Sequence, residues 1–148
     1  MENEEKIIKN YPEEWGKLGE GEKENAVFWF GRIWESISPT QANEFLNSLL
    51  ENIKKYPKEW ENLGEWGKKE AVYRFGDIWY DKSPVQANEY LNFLLENIKK
   101  HPKEWVILGG REKENAVSWF GHIWYWNSST KAKEFLKKKL NEVKNYGK

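Results

Sequence analysis

Apolar residues recur along this chain with the period of a helix. Ala26, Phe30, Ile33 and Trp34 share one face at 100° per residue, with Val27 at its edge and Phe28 and Glu35 opposite. A helix is predicted over Glu22–Ile37, and similar patterns place others near Lys68–Lys82 and Glu112–Asn127. A second stripe follows. Ala42, Phe45, Leu46, Leu49, Leu50 and Ile53 line one side of a segment whose other side carries Asn43, Glu44, Asn47 and Glu51. Its start is marked by Ser38-Pro39-Thr40-Gln41, repeated as Ser83-Pro84-Val85-Gln86: an N-cap, a proline at the first position and the glutamine of a capping box. Ser128-Ser129-Thr130-Lys131 keeps the cap and loses the box. A shorter helix of about two turns precedes each pair. Pro12 opens it, Trp15 and Leu18 share a face, and Gly19 stops it, as do Pro57 to Gly64 and Pro102 to Gly109.

These patterns are one pattern, read three times at an offset of 45 residues with no insertion. Ala26, Val27, Phe30, Gly31, Ile33 and Trp34 return as Ala71, Val72, Phe75, Gly76, Ile78 and Trp79, then as Ala116, Val117, Phe120, Gly121, Ile123 and Trp124. A period of this size is the mark of stacked supersecondary units. The expected fold is all-α: three tandem three-helix units of 45 residues forming a short right-handed α-solenoid, one repeat domain over residues 1–148. Residues 1–10 align with the end of the third helix and read as a partial N-terminal capping helix; units follow at 11–55, 56–100 and 101–148. Glycine inside a helix costs about 1 kcal/mol against alanine. Gly31, Gly76 and Gly121 therefore predict close approach of a neighbouring helix. In the last unit Leu49 and Leu94 become Lys139, as a terminal helix with nothing beyond it requires.

Phe30-Gly31-x-x-Trp34 followed by Ala42 and Leu46 resembles the tetratricopeptide repeat, as do Phe75-Gly76-x-x-Trp79 with Ala87 and Phe120-Gly121-x-x-Trp124 with Ala132. The resemblance covers the second and third helices of each unit and implies a solenoid of helix pairs. The period of 45 rather than 34 and the extra Pro-Trp-Leu-Gly helix depart from that family, and no partner-binding residue carries over.

Composition narrows the chemistry. Ten Trp, seven Tyr and seven Phe supply an aromatic core despite 32% charged residues. With no cysteine there is neither a disulfide framework nor a thiolate metal site. No apolar run spans a membrane, and the acidic N-terminus lacks a signal-peptide core, so the expectation is a cytoplasmic protein without membrane contact. His101 and His122, the two histidines, fall outside the repeat pattern, and the recurring carboxylates Glu14 and Glu44 suit a helix first turn and a polar face. No metal site, cofactor or catalytic residue is read here, and no enzyme.

Candidate binding residues are the aromatics and the arginine that break the repeat: Trp29, Arg74 and Trp119 at one position, with Trp66, Tyr80, Phe93, Tyr125 and Trp126. Repeat-variable residues of solenoids form extended binding surfaces, and Trp, Tyr and Arg are typical hot-spot residues. A non-enzymatic scaffold for a protein or peptide partner is the leading expectation. Net charge is zero but graded, −6 over residues 1–52, −1 over 53–97 and +7 over 98–148. The basic patch of Lys131, Lys133, Lys137, Lys138 and Lys139, with Lys144 and Lys148, opens a second expectation, nucleic acid. The gradient opens a third: head-to-tail self-association in place of a monomer.

Overall fold

The computed structural model describes residues 2–146, and Lys148 lies outside them. The described residues form ten helices and no strand: α1 (Glu2–Asn10), α2 (Pro12–Gly16), α3 (Glu20–Ser36), α4 (Pro39–Lys55), α5 (Pro57–Asn62), α6 (Gly64–Asp81), α7 (Pro84–Lys100), α8 (Pro102–Ile107), α9 (Gly110–Trp126) and α10 (Ser129–Tyr146).

Local sequence sets most boundaries. Proline occupies the first position of α2, α4, α5, α7 and α8, where its missing N–H costs nothing. The hydroxyls of Ser38, Ser83 and Ser128 each accept from the backbone N–H three residues on, at 3.1 Å. Only half of the expected capping box forms. The Gln41 side chain instead accepts from Trp79 Nε1 at 3.1 Å, tying α4 to α6. The glycines after the short helices also differ from expectation. Gly64 alone has a positive φ, +75°. Gly19 and Gly109 are extended and start the next helix instead of stopping the last. At Gly19 the backbone N–H donates to the Glu22 carboxylate at 3.2 Å, which explains how Glu22 comes to be buried. The long helices α3, α6 and α9 consequently begin two to four residues before the apolar pattern does.

Helices α3, α6 and α9 lie side by side, and α4, α7 and α10 pack on them in turn. The short helices α2, α5 and α8 rest on α4, α7 and α10, and α1 also rests on α4. The core between these helices is aromatic: Phe45 stacks on Phe75 at 5.5 Å and Tyr90 on Phe120 at 5.4 Å, each pair edged by Trp79 or Trp124. Trp60 and Trp105 are fully buried, while Trp15 near the N-terminus is only partly covered. Lys139 is half-buried where Leu49 and Leu94 are completely buried.

The glycines behave as their position predicts, with an informative exception. A Cβ on Gly76 would meet the Trp29 ring well inside 3.0 Å, and one on Gly121 would lie 2.7 Å from Arg74 Cγ. Each glycine is a slot for a side chain from the preceding long helix. Gly31 has nothing within 4 Å of the same point.

Candidate partner-binding surface

The eight repeat-breaking residues do not form one surface. Trp29 belongs inside: it is 5% exposed, seated on Gly76 between Tyr73 at 6.0 Å and Tyr80 at 5.9 Å. The expectation of a partner-facing Trp29 is corrected, because α6 covers it. Arg74 has the same role in α6. Its side chain lies over Gly121, bonds Asp77 at 2.9 Å and faces the Tyr125 ring at 5.5 Å, so it too is packing. Tyr80 is half-buried with the Arg32 guanidinium 4.9 Å from its ring. The Tyr125 hydroxyl donates to the Asp81 carboxylate, and that bond first, then burial, pushes the phenol up to about 12.

Three of the eight are exposed, in two places, and a fourth, half-buried as Tyr80 and Tyr125 are, opens into a groove. Trp119 and Trp126 are exposed on α9, flanking His122 at 5.3 and 6.3 Å. Trp66 is exposed near the start of α6, with the Lys69 ammonium over its ring. Phe93, half-buried on α7, stacks on Phe120 at 5.7 Å and opens into a groove between α7 and α10.

That groove has a volume of about 460 Å³. Phe93 and Leu140 supply its apolar floor, and Lys100, Lys133 and Lys137 its cationic rim. The Lys133 ammonium stands 5.1 Å from the Phe93 ring and 5.6 Å from that of Trp124. Two carboxylates, Glu96 and Glu134, also line it, and Glu96 is already engaged by the Tyr56 hydroxyl at 2.8 Å. Lys131 and Lys138 are exposed but do not line the groove.

The groove lies where the polar ties of the preceding junction have no counterpart. Tyr11, between α1 and α2, donates to Glu51 on α4 at 2.8 Å. Tyr56, between α4 and α5, does the same to Glu96 on α7 and reaches Asn92 at 3.1 Å. Burial and then the Glu96 bond push the Tyr56 phenol up to about 12. Beside it Asn52 donates to Asn88 at 3.2 Å, a second bond between α4 and α7. The counterparts between α7 and α10 are His101 for Tyr56, Asn141 for Glu96, Lys137 for Asn92 and Lys133 for Asn88. None of these pairs bonds; Asn97 turns instead to Trp105 Nε1 at 3.0 Å. Replacing Ser48 by Phe93 at the same position leaves an apolar floor where the other junction is polar.

Sequence patterning alone does not mark Lys100, His101, Leu140 and Asn141 as site residues. The signal that could find them is a broken pairing 40 residues apart: Tyr11 with Glu51, Tyr56 with Glu96, then His101 with Asn141. Among the described residues no three His, Asp or Glu side chains converge in the manner of a metal site, and no helix is long and apolar enough to cross a membrane. Comparison with protein-family models, curated proteins and solved structures returned no match.

Proposed function

We propose that the chain is a non-enzymatic three-unit α-solenoid, similar in its helix pairs to tetratricopeptide repeats, that holds an acidic segment of a partner protein in the groove between α7 and α10. The observation that carries this reading is the junction itself. It lacks the Tyr–Glu tie present at Tyr11 and Tyr56, and it sets Phe93 beside Lys133 and Lys137. An apolar floor under a basic rim fits a peptide that offers an aromatic or leucine side chain flanked by Asp or Glu. The +7 charge over residues 98–148 supports the same sign of partner.

The magnitudes set a modest affinity. Burying one large apolar side chain on Phe93 and Leu140 is worth about 1.5–3 kcal/mol. Each exposed ion pair with Lys133 or Lys137 adds about 0.2–1 kcal/mol. A micromolar complex needs about 8 kcal/mol, so the segment must also run along α10 and use further contacts.

The test is fluorescence anisotropy with a labelled peptide of alternating Glu and Leu or Phe, beside a single-stranded oligonucleotide of similar charge. Binding of the peptide should weaken about tenfold or more in Lys133→Glu plus Lys137→Glu. A peptide that binds equally well to wild type and variant overturns the reading. Preference for the oligonucleotide, with affinity falling linearly in log salt, replaces it with the nucleic-acid alternative.

A further inference from the structure

The position shared by Trp29, Arg74 and Trp119 shows how successive long helices engage. Trp29 of α3 sits on Gly76 of α6, and Arg74 of α6 sits on Gly121 of α9. Among the described residues no further long helix packs on the outer face of α9, and Trp119 there is 54% exposed. At the other end, Gly31 of α3 is a slot with nothing in it. The residues around Gly31 are uncovered in the same sense. Val27 is 44% exposed, whereas Val72 and Val117 are buried, and Trp34 is only half-buried, whereas Trp79 and Trp124 are buried. One face of the molecule carries a knob without a slot, and the opposite face a slot without a knob.

We infer that two copies of this chain join head to tail, the outer face of α9 on the outer face of α3, with Trp119 of one copy seated over Gly31 of the next. The joint continues the α3–α6 and α6–α9 packing. The facing residues and the net charges of the two ends are compatible with it. Arg32 meets Tyr80 across the first of those interfaces, and in the same register His122 of one copy meets Glu35 of the next. The basic last third, +7, then approaches the acidic first third, −6. Such a joint is heterologous and leaves both free faces available, so it propagates or closes into a ring.

Helix α1 regulates the joint. The Tyr11–Glu51 bond repeats the Tyr56–Glu96 bond, so α1 stands against α4 as the end of α4 stands against α7. In the joined pair the end of α10 of the incoming copy claims that place. α1 must give way before the faces close, and it holds the joining in check. It is anchored by Ile7, which is buried, and covers α4 while leaving α3 open.

The chain has no cysteine, so introduced thiols report the register directly. At the Trp29–Gly76 contact the Cβ on Gly76 lies within 3.0 Å of Trp29 Cγ. Adding one C–C bond of about 1.5 Å puts the two Cβ atoms within about 4.5 Å, inside disulfide range. Full-length Gly31→Cys and Trp119→Cys chains are mixed under a mild oxidant, and the products are mapped by mass spectrometry. The 31–119 dimer should exceed, about tenfold, the product of Gly31→Cys with Val85→Cys, an exposed control on α7. Adding Ile7→Ala to the Gly31→Cys chain should raise the yield further. A 31–119 yield no greater than the control, with or without Ile7→Ala, overturns the head-to-tail joint. A yield that Ile7→Ala leaves unchanged or lowers overturns the role given to α1.

Discussion

Alanine placed at the three equivalent glycines should give three different stabilities. Each substitution gains the same intrinsic helix preference, about 1 kcal/mol. At Gly31 the new methyl meets nothing within 4 Å, so the whole gain is kept. At Gly121 it would lie 2.7 Å from Arg74 Cγ and 3.1 Å from its Nε. That chain is long and can shift, but Asp77 holds it at 2.9 Å, and the strain cancels most of the gain. At Gly76 the methyl falls into the buried Trp29 ring, which has no flexible end to move. Overpacking costs about 1–3 kcal/mol. Expelling the indole would forfeit up to about 4–6 kcal/mol, from 150–250 Å² at about 25 cal/mol per Å². With the ring this deep in contact the upper end of that cost applies, and the net for Gly76→Ala is a loss of about 2 kcal/mol. At this chain length 1 kcal/mol moves Tm by about 2–4 °C. Calorimetry should therefore place Gly31→Ala about 2–4 °C above wild type, Gly121→Ala near it and Gly76→Ala about 4–8 °C below. Equal stabilisation of Gly31→Ala and Gly76→Ala would refute the slot argument, and with it the register assigned to Trp119.

Two further outcomes follow from the missing tie and from the phenols. Installing the absent pair with His101→Tyr plus Asn141→Glu should raise denaturant stability by about 1.5–3 kcal/mol, the worth of a hydrogen bond to a charged group. It should also abolish peptide binding by drawing α10 onto α7; tighter binding would contradict the groove's origin. In alkali, Tyr56 and Tyr125 are held up to about 12, above the free phenol near 10. Their contribution is whole below about pH 10 and is lost as pH rises through about 12. The denaturation midpoint should fall over that window, and less steeply in Tyr56→Phe plus Tyr125→Phe.

The helices are legible in the sequence because their signals are local. Ser38, Ser83 and Ser128 cap as their position predicts, and the stripes from Ala42 to Ile53 and from Ala87 to Ile98 are buried throughout. Exposure is not legible at the repeat-breaking positions. Trp29 and Trp119 are the same residue at the same phase, one buried and one exposed, and what separates them is the long helix α6 packed over Trp29. Variation at that position has the look of a binding surface. It records instead which side chain must fit the next glycine, a long-range property that periodicity does not carry. The groove is hidden for a similar reason. Phe93, Lys133 and Lys137 each stand out singly, but what brings them together is the loss of a bond between residues 40 apart.

Single residues link α4 to α5 and α7 to α8: Tyr56 in one case, His101 in the other. Tyr56 is both the elbow of the chain and the bolt that fastens it, since its hydroxyl reaches the next long helix. Elbow angle and neighbour spacing are thereby one degree of freedom there. At His101 the elbow remains and the bolt is gone. That joint should therefore be the more compliant of the two, and a load across the chain's ends is expected to spread α10 from α7 before it disturbs the spacing of α4 and α7.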